Sequence, residues 1–181
     1  MSEINNRKGP KPKNLIAALS EGILGYILYQ ARCGIQDAYS EYLLYDPVVR
    51  ISKDKNWKLK SEFTVEEIDG RGDNRKIDFL CTSGYNSDIK VGIEIKYLKD
   101  SKSSLSIQND SDKLLKLKNC VEYTKLYGFI LIAGKHTDYN INIIERQKEK
   151  YALEQYYKVE FTNQTNTRYG VTVLKVLEEI N

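Results

Sequence analysis

Two neighbouring stretches decide how this chain reads: KIDFLCT over Lys76–Thr82 and KVGIEIKYL over Lys90–Leu98, joined by the turn-rich SGYNSDI of 83–89. In the second stretch Val91, Ile93, Ile95 and Tyr97 alternate with Lys90, Gly92, Glu94 and Lys96. A strict period of two is the mark of a half-buried strand. In the first, Ile77, Phe79 and Cys81 repeat at the same period. The Ser-Gly-Tyr-Asn-Ser-Asp run supplies turn chemistry, so the two strands form a hairpin. A hairpin symmetric about Asn86 sets Asp78 opposite Glu94 and Lys76 opposite Lys96. Asp78, Glu94 and Lys96 then share the face that Ile77, Phe79, Ile93 and Ile95 leave free.

Opposed carboxylates repel one another across a sheet. A cation between them converts the repulsion into binding. Two oxygen donors beside open water positions suit Mg²⁺, or Mn²⁺ in its place. Lys96 alongside brings a positive charge that can hold water or stabilise a pentavalent phosphorus transition state. The bland alternative is a solvated polar face, which alternating strands commonly carry.

Outward from the hairpin, Trp57–Ile68 reads as a preceding strand, followed by the loop Asp69–Arg75. Before it, Asn14 is the predicted cap of a helix whose apolar residues Leu15, Leu19, Ile23, Tyr26 and Ile27 recur at helical spacing, with Gly34 as its stop. A second helix is expected from Ile35 to Tyr45, ending ahead of Pro47, with Val48–Ile51 extending or restarting it. After the hairpin come a polar loop, Lys99–Asn109, and a helix over Ser111–Tyr127 stopped by Gly128. The apolar run Phe129–Ala133 suits a buried strand. A charged helix over Ile141–Glu154 and two strands, Tyr156–Thr162 and Tyr169–Leu177, close the chain. The predicted order is α-α-β-β-β-α-β-α-β-β, a mixed α/β fold with helices packed on a central sheet. Residues 1–13 read as a flexible basic arm, and 14–181 as one domain.

Composition narrows the chemistry. With 181 residues, 41% hydrophobic and 29% charged, the chain has an ordinary globular make-up. The 28 Lys and Arg against 25 Asp and Glu leave a net charge of +3, compatible with a polyanionic partner. The single His, His136, rules out zinc sites built on two or three histidines and any paired-histidine mechanism. It is expected in a polar loop. The scattered Cys33, Cys81 and Cys120 make neither a disulfide framework nor a zinc box. Reduced thiols in a cytoplasmic setting are the simplest reading of those cysteines, so a cytoplasmic location is expected; no apolar run has the length of a membrane span and no signal peptide is visible.

The pair Ile77-Asp78 and the triplet Glu94-Ile95-Lys96, at hairpin spacing and followed by a helix and a buried strand, resemble the PD-(D/E)XK nuclease superfamily. The resemblance spans Ile35 to Ala133 in element order, with Ile77 where the superfamily motif carries Pro. It implies a restriction-endonuclease-like αβββαβ core. It also implies a divalent-metal-dependent endonuclease acting on DNA, with Asp78 and Glu94 on the metal and Lys96 assisting the attacking water. Many members add a Glu from the helix before the sheet, and here Glu41 is favoured over Glu21. Glu62 could act as an outer acid or be exposed. Lys58 and Lys60, beside Trp57, and Lys113 on the crossover helix are candidate nucleic-acid contacts. Lys113, with Lys116 and Lys118, equally suits the solvated side of an amphipathic helix. The chain leaves little room for a sequence-reading domain, so specificity is expected to come from loops, from a homodimer or from a specificity partner protein. The alternative function is a catalytically inactive nuclease fold serving as a nucleic-acid-binding or assembly module.

Overall fold

A computed structural model describes residues 11–35, 40–66, 75–99 and 105–180. Helix α1 spans Pro12–Arg32 and begins two residues before the predicted cap. Pro12 sits in its first turn, where a missing N–H costs nothing. Residues 12 and 13 therefore belong to the helix rather than to an arm. Leu15, Ile16, Leu19, Ile23 and Ile27 are buried along one stripe. Gly34, at φ +72°, follows the helix as expected of a left-handed stop.

The second helix is displaced from its predicted position. A single 3₁₀ turn, Glu41–Leu44, leads into α2 at Tyr45–Asp54. Pro47 lies in the first turn of α2, where its ring is tolerated, so it helps begin the helix instead of ending one. Part of the expected Ile35–Tyr45 helix lies outside the described residues.

The strands are β1 (Trp57–Thr64), β2 (Lys76–Ser83), β3 (Ile89–Leu98), β4 (Lys125–Lys135), β5 (Glu154–Thr162) and β6 (Arg168–Ile180). Helices α3 (Gln108–Lys116) and α4 (Asp138–Lys150) complete the fold. The sheet order is β1-β2-β3-β4-β6-β5. Among the described residues only the β3–β4 pair is parallel, joined by the α3 crossover, and the other pairs are antiparallel. This is a mixed α/β fold with a six-stranded mixed sheet flanked by helices. One apolar cluster joins α1 and α2 to Phe79, Ile93, Ile95, Phe129 and Val171. The other joins Leu114 of α3 and Ile144 of α4 to Leu80, Ile130, Ile132 and Leu174. No helix among the described residues is long and apolar enough to cross a membrane.

The crossover helix is shorter than predicted and β4 correspondingly longer. Gly128, expected to stop that helix, lies within β4. A Cβ there would stand 3.0 Å from Leu177 Cβ and 3.3 Å from Leu114 Cβ. Its place is therefore explained by close packing rather than by a helix end. Gly92, its partner across β3 and β4, plays the same part: a Cβ would meet Leu117 and Leu114 methyls at 2.7 and 2.9 Å. The two glycines form a shallow seat that lets α3 lie close to the sheet.

Candidate active site

The hairpin register is the symmetric one. Phe79 pairs with Ile93, Leu80 with Gly92 and Thr82 with Lys90. Ladder pairing stops at Phe79 and Ile93, one position short of Asp78 and Glu94. There the Asp78 carboxylate replaces the backbone acceptor: the Ile95 amide donates to Asp78 Oδ2 at 2.6 Å. The other oxygen, Oδ1, accepts from the Tyr45 hydroxyl at 2.5 Å. Strand β2 does not alternate cleanly here. Ile77 belongs to the α3-side cluster and Phe79 to the α1-side cluster, so the expected common face of Ile77 and Phe79 is broken. On β1, Glu62 occupies the unpaired position between Ser61↔Phe79 and Phe63↔Ile77. Its φ of +49° is a left-handed conformation that a non-glycine residue holds only under local constraint.

These irregularities open a cleft of about 310 Å³ at the end of the hairpin. Glu41 and Tyr45 line it from the α2 side, Asp78, Glu94 and Lys96 from the sheet, and Asp110 and Lys113 from α3. Asp78, Glu94, Lys96 and Glu41 thus meet at one place. Glu41 Oε1 accepts from the Tyr97 amide at 3.4 Å. Glu21, its rival, lies elsewhere and accepts a hydrogen bond from the Tyr157 hydroxyl at 2.8 Å. Glu62 reaches the cleft rim, paired with Lys76 at 3.1 Å.

Asp110 and the depth of Lys113 were not foreseen. Lys113 is only 7% exposed, which overturns its reading as the solvated side of a helix, and it lines the cleft. Its ammonium lies 2.5 Å from Glu94 Oε1 and 3.2 Å from Asp110 Oδ1, and it donates to the Lys76 carbonyl at 2.9 Å. Lys96 pairs with the other oxygen of Asp110 at 3.1 Å. Asp110 is 5% exposed. A helix residue separated from the motif by a loop carries no strand-period signal. The one available hint was that Asp110 and Lys113 stand three apart, on one helix face.

Glu94 is 1% exposed. Burial, followed by the charges of Asp78 and Asp110, pushes its carboxyl up to about 9 despite Lys113. Burial also raises Glu41, with Lys96 opposing. For Lys96, burial disfavours the ammonium, but Asp110 and Glu41 outweigh it and hold the group above its ordinary value. Tyr45 is held in its neutral form by burial and by its bond to Asp78.

The donors fit a hard divalent ion in kind, since all are carboxylate oxygens. The cleft lining holds five carboxylates against three lysines, so it is short of positive charge. As they stand, no three His, Cys, Asp or Glu side chains among the described residues are grouped to hold a metal, and the Lys113 ammonium contacts both Glu94 and Asp110.

His136 lies in the loop between β4 and α4, as expected; it is buried, its Nδ1 lies 2.9 Å from Glu160 Oε1, and it is not among the residues lining the cleft. Lys58 and Lys60 are exposed on the edge strand β1, with the Lys60 ammonium 4.9 Å from the Phe63 ring centre. The three cysteines are free. No protein-family model, curated protein or solved structure matches this chain.

Proposed function

We propose that the chain is a divalent-metal-dependent nuclease hydrolysing phosphodiester bonds, acting on DNA, with a restriction-endonuclease-like core formed by α2, β1, β2, β3, α3 and β4. The observation that carries this reading is the convergence of Asp78, Glu94, Lys96 and Glu41 on one cleft whose lining is short of positive charge. Asp78 and Glu94 would hold Mg²⁺ or Mn²⁺. The bound ion supplies a polarised phosphate and a more acidic water. Tyr45 and the Ile95 amide orient Asp78 from two sides, leaving its remaining lone pairs for the ion. Lys96 sits between Asp110 and the open cleft and can shift its charge toward a phosphate oxygen as negative charge builds there. Glu41, its carboxyl raised by burial, can accept the proton that the attacking water gives up. Lys58 and Lys60 on the exposed edge would meet the DNA backbone.

Plasmid nicking with Mg²⁺ or Mn²⁺ tests the reading. Asp78→Asn keeps the shape of the side chain and removes its charge. It should lower nicking by about 100-fold or more. Equal nicking by both proteins would trace the activity to a contaminant and end the proposal.

A second reading, a nuclease-like fold that binds nucleic acid without cutting it, is favoured by one observation: Lys113 already neutralises Glu94. It predicts DNA binding that is indifferent to both Asp78→Asn and added Mn²⁺, with no nicking by either protein.

A further inference from the structure

The α3 helix brings a cation to the place where the proposed mechanism needs one. The Lys113 ammonium touches Glu94, touches Asp110, and is fixed from a third side by the Lys76 carbonyl. Its surroundings are those of a bound ion: two carboxylates, one peptide oxygen and almost no solvent. The glycine seat at Gly92 and Gly128 holds α3 close enough for that reach. Buried carboxylates left without a counter-charge are strongly destabilising. A site that gathers Asp78, Glu94 and Asp110 must therefore be neutralised while no metal is bound.

We infer that the Lys113 ammonium occupies the divalent-ion position in the resting protein, and that the ion binds by displacing it from Glu94. This rests on the divalent-ion reading above and adds a regulatory element to that same site. The displaced side chain keeps a partner in the Lys76 carbonyl, to which it already donates. Displacement makes metal affinity lower than the carboxylates alone would give. In return, the folded chain is independent of metal supply. Removing Lys113 reverses both effects: metal binds more tightly, and the protein without metal becomes less stable.

Titration calorimetry with Mn²⁺ alone, on the wild type and on Lys113→Gln, reads the first effect without reference to activity. Lys113→Gln should bind at least about tenfold more tightly, because the ion no longer has to break the buried pair. Mn²⁺ should also raise the melting temperature of Lys113→Gln more than that of the wild type. Equal or weaker binding by Lys113→Gln overturns the inference while leaving the divalent-ion reading in place. Failure of both proteins to bind Mn²⁺ removes the two together. Should Lys113→Gln not fold, the wild type supplies its own test by amine labelling and mass spectrometry. Labelling at Lys113 should rise when Mn²⁺ binds, and unchanged labelling under saturating Mn²⁺ overturns the displacement.

Discussion

At the residue scale Glu94 carries a heavy electrostatic load. Its folded-state carboxyl is raised to about 9 by burial and by Asp78 and Asp110, well above the ordinary range it has in the unfolded chain. The sign follows directly. A raised group favours the folded state fully below its unfolded value, and that contribution is withdrawn as pH climbs toward the folded value. The wild type should therefore lose stability between about pH 5 and pH 9 in a way that Glu94→Gln does not. Urea unfolding at both ends of that window should show the variant gaining roughly 1–3 kcal/mol on the wild type. A gap independent of pH would mean that Glu94 is already ionised in the folded protein at low pH.

At the element scale, the placing of α3 decides whether the site exists. Its seat depends on Gly92, where two leucine methyls occupy the space a Cβ would take. Gly92→Val should lift the helix and cost about 1–3 kcal/mol of stability, read by urea unfolding. It should also weaken the Lys113–Glu94 contact, which amine labelling of Lys113 would report. Unchanged stability would mean that Leu114 and Leu117 repack freely. Element order and the hairpin register were legible in the sequence because both follow from side-chain period and turn chemistry, which are local. The pairing of Phe79 with Ile93 and the meeting of Asp78, Glu94 and Lys96 followed from that register. What local pattern could not supply was anything set by packing between layers. Pro47 reads as a stop or a start depending on where the preceding turn lies. Gly128 reads as a helix end until Leu114 and Leu177 are seen against it. Lys113 has the periodicity of a solvated face, yet burial against Glu94 claims it. His136 lies in the loop where it was expected, but its burial beside Glu160 is again set by packing.

At the scale of the whole molecule, the proposed function would divide two tasks between the acidic cleft and the exposed lysines of β1: coordination in the cleft, and attraction of the phosphate backbone at the edge. Replacing Lys58 and Lys60 together by Ala should weaken DNA binding across unrelated sequences. It should also flatten the dependence of affinity on salt by about two charges' worth, measured by fluorescence anisotropy over a salt series. An unchanged slope would place the DNA path elsewhere on the surface. The seam between β2 and β3 carries one further consequence. Where the ladder ends, the Asp78 carboxylate serves the Ile95 amide as a stitch in the weave. An ion drawing on Asp78 would tug that stitch, so occupancy of the cleft and breathing of the strand ends become one mechanical event. The exchange rate of a single main-chain hydrogen, that of Ile95, then becomes a gauge of whether the site is filled.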